Sequence, residues 1–540
     1  MPPPLSPLPR SLSTLLRHHL KFSAAAASPQ LITPLSIPIL KPHLPTLSPS
    51  ADADLIAGII LDHHNPFHPL ESSLQLDAGI TFSPHLISQT LLRLRHHSKL
   101  ALSFFSWAQA QARLHQARSD LVDVGSVNLM VEIMGRVRQF DVAWELILRS
   151  QSNCSTFLVL IRRLIAAGLT RQAIRAWDDM PALVQLKDDD GNVNDHDGDD
   201  DGFVYVIDSL CKYGYVRAAM EVFRKRNRRW GDDGVGAKVY TVLVYGWCKV
   251  KRVDMAEKML REMIEEGIEP NVVTYNVLLN GICRRASLHP ETRFEGVIRA
   301  AERVLEEMKE RGIEPDVTSY SILLHVYSRA HRPELTLEKL EVMKGNGICP
   351  NVATYTSAIK CLSSCGRLEE AERLLDEMVA NGVSPSAVTY NCFFKEFRGR
   401  KNVEGAIGLY RKMKTMGSCM PDMHTYHILL GMFLNLDKMG IVKELWNDIK
   451  SSGVGPELDT YTMLIHGLIE KQKWRHACAY FVEMIEKGFL PQKVTFETLY
   501  RGLIQADKLR TWRRLKKKLD EESISFSSEF ENYHLQPYRR

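Results

Sequence analysis

Along most of the chain apolar residues return at helical spacing. Tyr275, Leu278, Leu279 and Ile282 stand at i, i+3, i+4 and i+7, which puts all of them on one face of a helix. These helical stretches come in pairs, and the pairs repeat. The string GIEPNVVTYN at 267–276 returns as GICPNVATYT at 347–356 and GVSPSAVTYN at 382–391, with near copies at 312–321, 420–427, 453–462 and 488–497. A fixed period decides the architecture before any single element does. Cut ahead of each Thr-Tyr element, the chain gives units 237–271, 272–316, 317–351, 352–386, 387–422, 423–457 and 458–492. Five are 35 residues long, 387–422 has one extra, and 272–316 has ten extra.

Each unit reads as two helices. The first starts near an aromatic residue: Tyr240, Tyr275, Tyr320, Tyr355, Tyr390, Tyr426 or Tyr461. The second carries a small residue, at Ala256, Ala301, Ala371, Ala406 and Ala477, which lets two backbones approach closely. Methionine recurs near its end, as at Met263 and Met378, and glycine follows four residues later, as at Gly267 and Gly382. Glycine past a helix end adopts the left-handed cap without a Cβ clash, and a proline three residues on stops the helix. Weaker copies lie upstream at 159–180 and 206–223, with looser ones at 127–147 and 91–108, and a last degenerate one at 493–527. The expected fold is all-α, a solenoid of about twelve helix-turn-helix pairs with atypical ends. The expected organisation is degenerate repeats over 82–236, seven strong repeats over 237–492, and a degenerate repeat and tail over 493–540.

Residues 1–51 stand apart. They contain Arg10, Arg17, Lys21 and Lys41 and no acid; the first is Asp52. Leu12, Leu15, Leu16 and Leu20 fall on one helical face with basic groups mostly elsewhere. A basic, Ser-rich, acid-free amphipathic leader is the signature of an organellar transit peptide. The positive helix begins close to the terminus, which favours the mitochondrion over the chloroplast as its destination.

Composition narrows the function classes. Hydrophobic residues make up 45% and charged residues 25%, an ordinary folded balance, and a net charge of +5 is too small to imply a polyanion partner by itself. No run reaches the ~18 apolar residues of a membrane-spanning helix, so no membrane insertion is expected. The ten cysteines include no C-x-x-C pair, against a disulfide scaffold or a paired-cysteine zinc site. Cys211, Cys248 and Cys283 share one position of the repeat and read as small core residues. Cys361 and Cys365 lie one turn apart without a partner pair. His289-Pro290-Glu291 has the H-x-E of a zinc deaminase without the P-C-x-x-C that completes it, and reads as a helix start after the ten-residue insertion. DDDGNVNDHDGDD at 188–200 lacks the glycine and terminal glutamate of a calcium loop, so 187–202 reads as a disordered acidic insertion. No phosphate-binding loop, nucleophile elbow or dinucleotide fingerprint occurs. No catalytic residue, metal, cofactor or small-molecule substrate is expected. Two basic clusters, RKRNRR at 224–229 and WRRLKKKL at 512–519, read equally well as solvated helix faces or phosphate contacts.

VVTYNVLLNGIC at 272–283 and EEMKERGIEPD at 306–316 closely resemble the pentatricopeptide repeat proteins of plant organelles, in the class built only from motifs of this length. The resemblance spans roughly 85–540 and is most specific over 237–492. It implies a right-handed α-solenoid that binds single-stranded organellar RNA, one base per repeat, with the RNA 5′ end toward the protein N-terminus. Other RNA-processing proteins are further expected partners. It also implies that the fifth and last residues of each unit choose the base. The pairs are Thr241/Asn271, Asn276/Asp316, Ser321/Asn351, Thr356/Ser386, Asn391/Asp422, His427/Glu457 and Thr462/Gln492. The family code then gives 5′-A-U-A-purine-U-any-purine-3′. The second residue sandwiches the base, a role that Val273 and Val388 match, whereas Lys238, Thr318, Ala353, His424 and Asp459 depart from the usual valine. The expected activity is transcript maturation, by aiding intron splicing or protecting transcript ends. Three other readings compete. Asn, Thr and Ser at these places also serve as helix caps, arrays of similar period also scaffold proteins, and an RNA-cleaving enzyme would need an appended metal-binding carboxylate domain. A peptide groove, however, does not require polar pairs repeated in every unit.

Overall fold

The computed structural model describes residues 44–62, 82–114, 121–150, 153–185, 196–227, 236–285, 294–415, 419–453 and 455–521. Among these the regular structure is helical, and it divides into two compact units, one ending at Pro315 and the other beginning at Asp316.

The first unit opens with α1 (Ala51–Asp62), α2 (Pro84–Arg93) and α3 (Ser98–Leu114). Five helix pairs follow: α4 (Val124–Arg136) with α5 (Phe140–Arg149), α6 (Cys154–Ala166) with α7 (Thr170–Gln185), α8 (His196–Lys212) with α9 (Val216–Asn227), α10 (Ala237–Lys249) with α11 (Val253–Glu265), and α12 (Val272–Arg285) with α13 (Phe294–Glu310). The second unit holds six pairs: α14 (Val317–Arg329) with α15 (Pro333–Gly345), α16 (Val352–Ser364) with α17 (Leu368–Ala380), α18 (Ala387–Arg400) with α19 (Val403–Thr415), α20 (Met423–Asn435) with α21 (Met439–Ser451), α22 (Leu458–Glu470) with α23 (Trp474–Glu486), and α24 (Lys493–Gln505) with α25 (Leu509–Glu521). Within each unit a first helix packs on its own second helix and on the first helix of the next pair. That connectivity makes each unit an all-α solenoid.

The periodic residues fill the core as their spacing demands. Tyr240, Tyr275, Tyr320, Tyr355, Tyr390 and Tyr461 are fully buried. A buried tyrosine hydroxyl needs a partner. Tyr240 donates to Glu266 at 2.5 Å, Tyr275 to Glu307 at 3.3 Å and Tyr355 to Glu377 at 2.8 Å, tying each first helix to the end of its second. Ala256, Ala301, Ala371, Ala406 and Ala477 are fully buried, and so are Met263, Met308, Met343, Met378, Met413 and Met484. Where the alanine is missing, Thr336 or Val442 takes its place, both fully buried, and Thr336 satisfies its hydroxyl on Arg332 O at 2.8 Å. Gly267, Gly312, Gly347, Gly382, Gly453 and Gly488 have positive φ after the second helix.

The turn inside each pair was not foreseen. It too passes through the left-handed region, and mostly without glycine: Arg138, Lys251, His331, Lys401, Asp437, Gln472 and Asp507 all have φ between 52° and 66°. The following backbone N–H reaches back across the helix end, as Asn402 N does to Phe397 O at 2.9 Å. That bond closes the cap and holds a side chain where glycine is the easier choice.

Two boundaries differ from expectation. The leader was expected to run to residue 51, but Thr46–Ser50 is seated on α2. Ser48 N donates to Gln89 Oε1 at 2.9 Å, Gln89 Nε2 donates to Thr46 O at 2.8 Å, and the Arg93 guanidinium donates to Ser48 O and Ser50 O while pairing with Asp54. The docking uses backbone groups, which composition does not reveal. Residues 1–43 lie outside the described residues. The acidic stretch was expected to be disordered through residue 202, but from His196 onward it is helical and opens α8. Negative charge is favourable at a helix N-terminus, so an acidic run can begin a helix. Residues 187–195, and His289-Pro290-Glu291, lie outside the described residues.

Candidate nucleic-acid interface

The last residue of one repeat is the N-cap of the next first helix. Asn271, Asp316, Asn351, Ser386 and Asp422 each accept a hydrogen bond from the backbone N–H three residues on, at 3.0, 2.8, 3.0, 3.4 and 2.7 Å. The capping reading of these residues is therefore correct as far as it goes. Glu457 and Gln492 make no such bond.

From the 272–316 unit onward the third residue of each repeat is a threonine or serine, fully buried at Thr274, Ser319, Thr354, Thr389, Thr425, Thr460 and Thr495. Its hydroxyl links the cap to the fifth residue of the preceding repeat. Thr241 Oγ1 lies 2.7 Å from Thr274 Oγ1, which lies 3.0 Å from Asn271 Oδ1. Thr356 Oγ1 lies 2.8 Å from Thr389 Oγ1, itself 3.1 Å from Ser386 Oγ. Asn391 reaches its partner directly, Nδ2 donating to Asp422 Oδ1 at 3.3 Å. His427 Nε2 lies 2.8 Å from Thr460 Oγ1, and burial lowers the histidine pKa. Ser321 instead donates to Val317 O at 2.7 Å in its own helix. The structure thus brings together Thr241/Asn271, Thr356/Ser386 and Asn391/Asp422. Asn276 lies buried on α12 in the first unit, while Asp316 caps α14 in the second. Asn391 Oδ1 and Thr462 Oγ1 are buried without a hydrogen-bond partner.

Among the second-position residues Val388 is 43% exposed and Val273 half-buried. Val494, at the same place in the last pair, is 56% exposed and was not foreseen. The KVTFE string that contains it, residues 493–497, carried the signal, hidden by the weak repeat that follows.

Lys360 and Lys395 stand four residues after Thr356 and Asn391, and so on the same helix face. Both keep exposed surface although Lys395 is partly desolvated by its neighbours, neither is in an ion pair among the described residues, and Arg398 stands beside Lys395. Burial, then the charges of Lys360 and Arg329, push the pKa of His325 down to about 4. Burial, with Lys360 and Arg398, also lowers that of Lys395. A cationic strip therefore runs beside the polar pairs of the second unit.

The PPR repeat family model matches residues 236–284, 350–399 and 456–505, the pentatricopeptide repeat domain 303–367, and the PPR repeat 203–225 and 388–418. A mitochondrial pentatricopeptide repeat-containing protein of Arabidopsis thaliana is 60% identical over 92% of this chain and 94% of its own length. This chain belongs to the pentatricopeptide repeat family. Another mitochondrial member from Arabidopsis thaliana is 29% identical over 82% of this chain and 73% of its own length. Among solved structures, the pentatricopeptide repeat protein PPR10 from maize aligns over 88% of this chain and 79% of its own, with 16% identity and a TM-score of 0.39. Yeast Rmd9p in complex with its 16-nt target RNA aligns over 88% and 97%, with 13% identity and a TM-score of 0.36.

Other candidate chemistry in this pentatricopeptide repeat protein resolves into packing. Cys211 and Cys283 are buried and Cys248 half-buried, and burial raises all three thiols, Cys248 and Cys283 to about 12. Such thiols stay protonated and inert. Cys361 Sγ is buried 3.4 Å from Thr336 Oγ1. Among the described residues no group of three potential ligands could hold a metal, and no helix is long and apolar enough to cross a membrane.

Proposed function

We propose that this protein binds single-stranded RNA in mitochondria, one base per repeat, and serves transcript maturation without catalysing a reaction itself. It would hold its target unpaired or occlude it, so that an intron splices or an end survives. The supporting observation is the recurring polar pair, with its buried hydroxyl link and the unbonded Asn391 Oδ1, on the face that also carries Lys360 and Lys395. The mitochondrial relatives are consistent with it. Phosphate contacts supply affinity, and polar edges supply base choice.

The proposed strand direction is 5′ at the N-terminal repeats, and the proposed site is A-U-A-purine-U-any-purine. In this reading Val273 and Val388 flank bases, and Asn276/Asp316 and Asn391/Asp422 each face uracil. Asn391→Thr should move preference at one base from uracil toward guanine by ~1–3 kcal/mol, the worth of one base-edge pairing. Gel shifts with single-base variants of that oligonucleotide decide the matter. Equal binding of U and G variants by both proteins removes the modular reading and favours a protein scaffold. Equal weakening on every RNA places Asn391 in the fold alone.

A further inference from the structure

Second helices in this chain neutralise one another. Lys344 of α15 pairs with Glu377 of α17 at 2.7 Å, Lys412 of α19 with Asp376 of α17 at 2.7 Å, Lys414 of α19 with Asp448 of α21 at 2.9 Å, and Lys450 of α21 with Glu483 of α23 at 2.5 Å. The last second helix departs from this rule. α25 reads LRTWRRLKKKLDE. Arg510, Arg513, Arg514 and Lys516 are exposed, and among the described residues none is in an ion pair or hydrogen bond. Arg510, Arg513 and Arg514 lie at i, i+3 and i+4 on one face, so their charges concentrate along one stripe.

The opposite face of α25 is already used. Trp512 and Leu515 are buried, and the Trp512 ring meets Tyr500 at 4.7 Å and Phe496 at 5.7 Å, both on α24. This decides between two polyanions. A basic amphipathic helix binds a lipid surface by inserting its apolar face. Here that face is inside the protein, so only the charged stripe is offered. A flexible phosphate backbone can follow such a stripe without apolar insertion.

We propose that α25 is a sequence-independent docking site for the RNA backbone just beyond the base-read segment. The proposal rests on the RNA-binding reading above, and on its strand direction for the assignment to the 3′ flank. Bound there, the flanking strand would be held single-stranded where it leaves the repeats.

The test uses the full chain and the variant Arg510→Gln, Arg513→Gln, Arg514→Gln, Lys516→Gln. Circular dichroism first checks that the variant is folded. Each protein is titrated with the seven-base RNA alone, with a 3′ oligouridine extension and with a 5′ one, across a salt series. The wild type should gain affinity from the 3′ extension, and the variant should not. If about three of the side chains meet phosphates, the salt slope on the 3′-extended RNA falls by about 2, so between 50 and 200 mM salt the wild type loses about 20-fold more affinity than the variant. A gain that survives the substitutions, or an equal gain from both extensions, overturns the proposal. So does binding to anionic phosphatidylglycerol vesicles that depends on these side chains while the RNA slope stays fixed. A gain from the 5′ extension alone that the variant abolishes supports the docking helix and overturns the strand direction. Absence of RNA binding by both proteins overturns the RNA-binding reading itself, and the proposal with it.

Discussion

A polar atom buried without a partner costs about 1–3 kcal/mol, so structures rarely keep one without a use. Asn391 Oδ1 and Thr462 Oγ1 are such atoms at the fifth position of their repeats, and capping does not account for them. Caps account for the last residue of each pair; in the proposed reading an incoming base edge is the partner of the fifth. His325 Nδ1 is a further unpartnered atom, and here the consequence is measurable. Burial and the neighbouring Lys360 and Arg329 put its folded pKa at about 4, below the ordinary 6.5. The unfolded chain therefore takes up the proton first as pH falls. The stability gained by keeping His325 neutral is complete above pH 6.5 and is lost as pH drops toward 4. His424, His427 and His466 are shifted the same way by burial and add to the slope. His325→Gln should reduce the loss between pH 7 and pH 5 by ~1–2 kcal/mol. Urea melts of both proteins at the two pH values check this; an identical pH slope would mean that His325 is as easily protonated folded as unfolded.

At the scale of the helix pair, the length and apolar spacing of 35-residue units made the elements legible, because one face must be buried in every repeat. Tyr355, Ala371, Met378 and Gly382 all occupy the places their pattern implied. The left-handed turn inside each pair was not legible, because it is imposed by bonds closing the first helix and not by the residue that suffers it. Lys401, at φ 58°, carries that burden while its side chain is exposed. Lys401→Gly should stabilise the protein by ~0.5–1 kcal/mol, the left-handed penalty outweighing the extra freedom glycine brings to the unfolded chain. A higher thermal midpoint is the expected result, and a lower one would mean the turn is relaxed. The link through the third-residue hydroxyl was equally hidden, since Thr241 and Thr274 meet only after two repeats have stacked. A second close approach sets the packing of α10 against α12. A Cβ on Gly281 would stand 2.2 Å from Cys248 Sγ and 2.6 Å from its Cβ. Alanine is the better helix former by ~1 kcal/mol, but the overpacking costs ~1–3 kcal/mol and should win. Gly281→Ala should thus melt lower, and Cys248→Ala in the same chain should restore part of the loss. A Gly281→Ala protein that melts higher than wild type would show that the two helices separate freely.

At the scale of the molecule, the proposed reading makes order along the chain into order along the RNA, so the start of the repeat array bears on it. The acid-free leader and the docked segment overlap in sequence: the absence of acid runs to residue 51, whereas Thr46, Ser48 and Ser50 already serve the fold through Gln89 and Arg93. In the proposed reading the leader targets the chain, yet Thr46–Ser50 also serve the fold, so the docked segment begins ahead of the first acidic residue. Beyond it, α1 covers α2 with Ala53, Ile56, Ala57 and Ile60, all buried. Each isoleucine is worth ~1.5–3 kcal/mol of burial, so losing α1 should open the first pairs locally and leave distant repeats intact, as nearest-neighbour stability requires. A chain starting at residue 44 should match the full chain in hydrogen-exchange protection of α2. A chain starting at residue 64 should lose that protection while α20 and α22 keep theirs. In cells, the chain from residue 44 fused to a fluorescent protein should stay in the cytosol, and residues 1–43 fused to the same reporter should carry it to mitochondria. Mitochondrial entry of the truncated chain would overturn the assignment of targeting to the leader. Chloroplast entry of the leader fusion would keep the targeting role and correct its destination.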